Sequence, residues 1–200
     1  SLAIPDGLPQ PLTVLPERPF ASPDDLCAAI SQRVERDGFA LVIVPETARW
    51  ANGTAFGGVE PEYVDAFGHP YFPSSGQAVA RLVSGKFGSR ARLDRPGTFT
   101  RSAMDYASQI DLDEAERCGG AAVEAIECGE SGKCVIIERR SSAPYQSCTS
   151  LAPLTAIANV ERTIPEEMLA QPGDPPGAAF FDYALPLVGE IDREYEILEW

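Results

Sequence analysis

Hydrophobic positions in this chain follow two different spacings. Leu26, Ala29, Ile30 and Val34 recur at helical intervals behind Ser22-Pro23-Asp24-Asp25, which supplies an N-cap, a proline at the first helical position and two acids at the helix's positive end. Gly38 ends that helix. Phe39-Ala40-Leu41-Val42-Ile43-Val44 then runs apolar without polar alternation, the pattern of a strand buried on both faces of a largely parallel sheet, and Pro45 stops it. Ahead of both, residues 12–15 offer a short strand closed by Pro16.

The same two spacings return downstream. A Gly- and aromatic-rich loop over residues 46–75 is longer than most connections inside a domain, and connections of that length are commonly functional. Residues 77–84 predict a helix, with Ala78, Leu82 and Val83 on one face and Gly85 following; residues 89–94 predict a strand stopped by Pro96-Gly97. In the next helix Asp111 and Glu114 form a capping box, Leu112, Ala115, Cys118, Ala122, Val123 and Ile126 form the apolar stripe, and Gly129 is the exit. Residues 133–138 predict a strand. Alternating helices and strands of these lengths predict a three-layer α/β sandwich with a mostly parallel sheet and right-handed crossovers. From Arg139 the pattern loosens: residues 154–160 are apolar enough to pack, 163–167 look like a helix start, and 171–177 read as a Pro/Gly turn or linker. The resulting division is an entry segment over 1–11, an α/β portion over 12–170 and a carboxyl-terminal extension over 171–200.

Composition narrows the class of function. The 200 residues carry 16 Lys+Arg against 30 Asp+Glu, a formal charge of −14, which disfavours nucleic acid as a partner because phosphate neutralisation by cations supplies most non-specific affinity. No apolar run approaches the roughly 20 residues of a membrane-spanning helix, and Ser1-Leu2-Ala3-Ile4-Pro5 lacks the basic start of a signal peptide. Membrane association is not expected. Cys27, Cys118, Cys128, Cys134 and Cys148 are odd in number and form no C-x-x-C pair, as suits reduced, mostly buried thiols of a cytoplasmic protein.

Ligands of open α/β sheets bind beyond the carboxyl ends of strands, which directs attention to the residues after Val44 and Asp94. Glu46 follows the first buried strand and is placed either to accept hydrogen bonds from a polyol or to serve as a solvated loop carboxylate. Arg101, in Gly97-Thr98-Phe99-Thr100-Arg101-Ser102, carries a donor fork suited to a phosphate, or to a surface ion pair. Arg81, Lys86, Arg90, Arg92, Arg95 and Arg101 share a stretch whose one acid is Asp94, an anion-facing segment in an acidic chain, although half of them or more are expected only to solvate the surface. His69 is either a packed loop histidine or a ligand contact. Ser74 and Ser75 beside Gly76 are either a helix entrance or an anion site at a helix N-terminus. No Walker loop, nucleophile elbow or H-E-x-x-H occurs.

Taken in order, Leu15-Pro16-Glu17-Arg18-Pro19-Phe20, Ala40-Leu41-Val42-Ile43-Val44-Pro45-Glu46, Asp65-Ala66-Phe67-Gly68-His69 and Gly97-Thr98-Phe99-Thr100-Arg101-Ser102 resemble the carboxyl-terminal half of phosphofructokinases, closest to the bacterial branch that includes diphosphate-dependent enzymes. Asp111-Leu112-Asp113-Glu114-Ala115, Ser131-Gly132-Lys133, Tyr145 and Ile157-Ala158-Asn159-Val160-Glu161 continue the match, which spans roughly residues 13–183. The resemblance implies an incomplete phosphofructokinase-like fold, with Glu46 binding the sugar hydroxyls of fructose 6-phosphate and Arg101 its 6-phosphate. It also implies Mg²⁺ and either ATP or diphosphate in the complete enzyme, neither held by this chain alone, and phosphoryl transfer to the sugar's 1-hydroxyl in glycolysis. The departures are as informative. The family's Gly-Gly-rich donor loop and its catalytic-aspartate segment are not found in these 200 residues, so the chain carries no catalytic residue and is expected to be inactive alone. Ser74-Ser75-Gly76 stands where a Gly-Gly turn is common. Expected partners are an amino-terminal half or further copies in a homo-oligomer. The alternative is a non-catalytic sugar-phosphate sensor or partner subunit.

Overall fold

In the computed structural model, which describes residues 8–189, the run over 39–44 alternates instead of hiding both faces. Phe39, Leu41 and Ile43 are exposed, whereas Ala40, Val42 and Val44 pack against a core containing Leu12, Val14, Phe20, Leu26, Ile30 and Val79. The expected two-sided burial is therefore corrected: among the described residues that core covers one face. Pairing is confined to β2 (Val42–Ile43), parallel to β1 (Leu12–Thr13), with Leu12 opposite Val42 and Thr13 opposite Ile43.

The described chain divides into two units. The first comprises residues up to Pro96 together with Pro165–Gly177. Its helix α1 (Pro23–Asp37) starts as the sequence dictates: Ser22 Oγ accepts the Asp25 N–H at 3.2 Å, Pro23 fills the first turn, and Gly38, at φ +80°, returns its N–H to Val34. Leu26 and Ile30 reach the core, each such burial worth about 1.5–3 kcal/mol, but Val34 is exposed. The loop over 46–75 contains a two-stranded antiparallel hairpin, β3 (Tyr63–Val64) and β4 (Pro70–Tyr71). Helix α2 (Ser75–Phe87) runs past the expected stop at Gly85 to Gly88, whose φ of +64° accommodates the C-cap. No strand forms over 89–94, because this stretch bonds to the helix instead of to a neighbouring strand: the Ala91 N–H goes to Ser84 Oγ, and Leu93 lies against Gly76. The stretch over 171–177, expected as a Pro/Gly turn or linker, turns where the Asp174 N–H closes on the Gln171 carbonyl at 3.0 Å, and it is tied in. Gly173 is buried against Phe20 and Leu12, and its carbonyl accepts Thr13 N–H and the Arg33 guanidinium.

The second unit comprises Gly97–Ile164 and the described residues from Ala178 onward. A short helix α3 (Phe99–Ser102) and a 3₁₀ turn lead into α4 (Gln109–Glu127), followed by β5 (Lys133–Ser142) and β6 (Tyr145–Pro153). These two strands form the longest ladder among the described residues. Their two-residue connection at Ala143-Pro144 forces them antiparallel, since a parallel neighbour would need a crossover. The described strands form three separate pairs, β1–β2 parallel and the other two antiparallel, in a mixed helix and strand arrangement consistent with an incomplete α/β domain. Helix α5 (Ala178–Val188) packs Ala184 inward.

Helix α4 departs from its expected stripe. Its cap is Ser108, which accepts the Asp111 N–H, and the side of α4 toward the hairpin carries Glu114, Cys118, Ala121 and Ala125. Leu112, Val123 and Ile126 are exposed. Leu154, Ile157 and Val160 are also exposed, and the helix start near 163–167 is a single 3₁₀ turn over Glu166–Met168. All five cysteines are free; Cys27 is buried, Cys128 exposed and the others half-buried, so the expectation of mostly buried thiols holds for one.

Candidate functional site

Glu46 occupies the turn at the carboxyl end of β2. Pro45 has no N–H to extend the ladder, and the Ala48 N–H closes on the Pro45 carbonyl at 3.3 Å. Ala48 is fully buried, which pulls the turn inward and leaves Glu46 exposed at its tip. Among the described residues the Glu46 carboxylate has no hydrogen bond or ion pair. Its backbone is held: the hydroxyl of Ser75, itself 3% exposed, donates to the Glu46 carbonyl at 2.9 Å. Ser74, one residue earlier, caps α2 by accepting the Gln77 N–H. The entrance to α2 is fixed from the other side by Gly57, where an added Cβ would lie 2.1 Å from the Pro73 carbonyl oxygen.

The Asp65–His69 segment is the loop of the β3–β4 hairpin. Asp65 Oδ1 accepts the N–H groups of Phe67 and His69 at 2.9 and 2.8 Å, and Oδ2 lies 3.1 Å from His69 Nδ1. The His69 backbone N–H, with its ring and the neighbouring amides, holds the Asp65 carboxyl below the usual carboxylate range. The His69 side chain is 73% exposed, so it is not a packed histidine. No group of three His, Cys, Asp or Glu residues that could hold a metal ion occurs among the described residues.

Within the basic stretch, Lys86 pairs with Asp24 at 2.8 Å, and that hydrogen bond raises the lysine's pKa while lowering the aspartate's. Arg81, Arg90, Arg92 and Arg95 are exposed and, among the described residues, without an ion pair. In the second unit Arg101 sits in the last turn of α3, its N–H on the Thr98 carbonyl and its guanidinium likewise exposed and unpaired among the described residues. Glu46 and Arg101 lie in different units.

One cluster escaped the sequence reading. Glu114, expected to complete a capping box, is buried and receives the hydroxyls of Tyr145 and Ser147 at 2.6 and 2.5 Å, with Arg117 at 3.6 Å. Burial alone would raise its pKa; the two hydroxyls and the charges of Arg117 and Arg139 outweigh burial and lower it. Burial and the Glu114 bond push the Tyr145 hydroxyl up. Arg139 lies over the rings of Tyr145 and Tyr183 at 4.8 and 4.3 Å. Beside this cluster, an open cavity of about 440 Å³ is lined by Ile110, Asp113, Arg117, Tyr145, Gln146 and Ser147. A glutamate one residue from the apolar stripe, followed by a polar strand, was the signal available.

No protein-family model matches the chain. It is 34% identical over 169 residues to the pyrophosphate–fructose 6-phosphate 1-phosphotransferase of Xanthomonas campestris, covering 84% of this chain and 40% of that protein. The enzyme of the same name from Rhodospirillum rubrum is 32% identical over 186 residues, covering 89% and 45%. An ATP-dependent 6-phosphofructokinase 2 from Streptomyces coelicolor is 31% identical over 156 residues, covering 78% and 42%. Among solved structures, a pyrophosphate-dependent phosphofructokinase from Nitrosospira multiformis matches with a TM-score of 0.74 and 28% identity over 98% of this chain and 45% of its own. The corresponding protein from Marinobacter aquaeolei, at 24% identity and a TM-score of 0.70, supports the fold alone. The chain spans less than half the length of these relatives. In sequence and fold it is similar to the carboxyl-terminal half of pyrophosphate-dependent phosphofructokinases, and its architecture is an incomplete phosphofructokinase fold.

Proposed function

We propose that this chain is the sugar-phosphate-binding portion, over residues 12–170, of a 6-phosphofructokinase that moves a phosphoryl group from diphosphate or ATP to the 1-hydroxyl of fructose 6-phosphate. The observation that carries the reading is the unpaired carboxylate of Glu46 at the carboxyl end of β2, in a segment similar to the relatives named above. A carboxylate with free lone pairs accepts hydrogen bonds from sugar hydroxyls, and the unpaired Arg101 guanidinium offers a donor fork to the 6-phosphate. Neither group does chemistry in this reading; they bind and orient the acceptor, which matters because phosphoryl transfer depends on alignment and charge neutralisation.

The donor loop and the catalytic aspartate belong, in this reading, to an amino-terminal portion or a partner subunit. Mg²⁺ would neutralise donor charge there, and no step is assigned to it among the present residues. The reading places the protein in the cytoplasm and in an oligomer. Among the described residues no helix is long and apolar enough to cross a membrane.

The test is calorimetric titration of fructose 6-phosphate, ATP and diphosphate into the purified chain, with Arg101→Ala alongside. Saturable sugar-phosphate binding that is lost in the variant supports the reading. Absence of sugar-phosphate binding by a folded chain, or equal binding by the variant, overturns it. Sugar-phosphate binding by a natural assembly that never turns it over would favour the sensor alternative.

A further inference from the structure

Ser75 makes a bond that helix formation does not require. The N-cap of α2 is Ser74, whose Oγ accepts the Gln77 N–H at 3.4 Å. The next residue, Ser75, is 3% exposed and directs its hydroxyl to the Glu46 carbonyl, 29 positions earlier, at 2.9 Å. A buried hydroxyl is a strong constraint, because leaving it or its acceptor without a partner is unfavourable. The bond fixes the peptide plane after Glu46 and so the backbone torsion that sets how the Glu46 side chain leaves the turn. Nothing else among the described residues holds the carboxylate itself. The turn below it is already anchored by the fully buried Ala48.

We propose that Ser75 is a positioning residue for Glu46: its hydroxyl clamps the turn so that the carboxylate stands in one orientation toward a sugar hydroxyl. The assignment rests on the reading of Glu46 as the sugar-hydroxyl acceptor. Ser75 touches no ligand and acts through the Glu46 backbone.

The experiment uses the full chain and the variants Ser75→Ala and Ser75→Gly, each checked by circular dichroism for retained secondary structure and for melting well above the assay temperature. Titrations of fructose 6-phosphate and of inorganic phosphate are compared, and amide exchange is followed by NMR. The expected result is about tenfold weaker fructose 6-phosphate binding, the scale of one lost hydrogen bond, with phosphate binding unchanged and faster exchange at Ala48, whose N–H closes the turn on Pro45. A purely structural serine would weaken both ligands together. Unchanged exchange at Ala48 in both variants overturns the clamp, as does unchanged sugar-phosphate affinity where Glu46→Gln reduces it. If the unsubstituted chain binds no fructose 6-phosphate, the functional reading fails, and the amide response alone then decides whether Ser75 holds the turn. If one variant fails to fold, the other carries the comparison.

Discussion

The Tyr145 hydroxyl donates to Glu114 Oε1 at 2.6 Å, joining the start of β6 to the middle of the first half of α4. Ser147, two residues along the same strand, donates to the same oxygen, and Arg117 binds both the Ser147 carbonyl and its hydroxyl at 2.9 and 2.7 Å. A helix and a hairpin are thus fastened by a buried carboxylate whose acceptor capacity is met by hydroxyls, with a guanidinium on its outer side. Such an arrangement stabilises only while it is whole, because removing one member leaves the others buried and unsatisfied.

Glu114→Ala is therefore expected to destabilise the chain by about 2–4 kcal/mol, the range for breaking a buried charged hydrogen-bond set. Differential scanning calorimetry would show this as a melting temperature lowered by several degrees. Glu114→Gln keeps the shape and loses the charge, so it should fall between the two. A melting temperature for Glu114→Ala equal to that of the unsubstituted chain would show that the cluster contributes nothing net.

The same cluster predicts acid sensitivity. The carboxyl of Glu114 titrates below its ordinary value in the folded chain. Its stabilisation is therefore fully present above the unfolded value, about 4.3, and is lost as pH falls through the lower folded value. Melting curves from pH 6 downward should converge for the unsubstituted chain and Glu114→Gln at the acid end. Parallel curves at every pH would remove Glu114 from the acid response.

How much of this was legible in the sequence depends on whether the signal was local. Ser22, Pro23 and Gly38 bracket α1 because capping and proline geometry are properties of four or five neighbouring residues. Glu46 and Arg101 stand out as candidates because proline and glycine breaks mark element ends. Glu114 was misread because a capping box and a buried acceptor look the same until the partner strand is known, and β6 was missed because Tyr145-Gln146-Ser147-Cys148-Thr149-Ser150 has no apolar alternation. Its order comes from backbone pairing to β5, which composition does not record. The run over 89–94 alternates Arg and Asp with small or apolar residues but carries no β-branched or aromatic side chain, and it finds its partners on α2.

Asp65 should govern the order of the β3–β4 loop. Its carboxylate accepts the Phe67 and His69 amides, so Asp65→Ala is expected to speed exchange at those two amides while leaving α1 unaffected. Because its folded pKa is lowered, acidification through that value should loosen the same two amides in the unsubstituted chain. Exchange that is equally slow in the variant would show that Gly68, at φ +87°, and the backbone pairing suffice to hold the turn.

Arg101 offers a different separation. Its guanidinium is exposed and unpaired among the described residues, so Arg101→Ala should change stability by no more than about 0.5 kcal/mol and barely move the melting temperature. If it holds a phosphate, the same substitution should weaken fructose 6-phosphate binding by about 1.5–3 kcal/mol, the worth of hydrogen bonds to a charged group. Calorimetry and thermal melting on the same preparations separate the two effects, and a large loss of stability without a loss of binding would make Arg101 a structural residue.

Gly57 tests whether the loop before the hairpin holds the entrance to α2. Gly57 requires no left-handed backbone, so the case against a side chain there is one of space alone: a Cβ would stand 2.1 Å from the Pro73 carbonyl oxygen and 2.8 Å from its carbonyl carbon. Both are backbone atoms and cannot rotate aside. Gly57→Ala must therefore move residue 57 or residue 73, and residue 73 directly precedes the Ser74 cap and the Ser75 bond to Glu46. The expected cost is about 1–3 kcal/mol, as for other overpacked sites, and the shift should also reach Glu46. Amide shifts clustered at 46–48 and 73–77, together with a lowered melting temperature, would be the signature. Gly53→Ala makes the contrasting control: its Cβ would meet nothing within 4 Å, but its φ of +84° strains an alanine, so it should lose stability without moving the Glu46 turn.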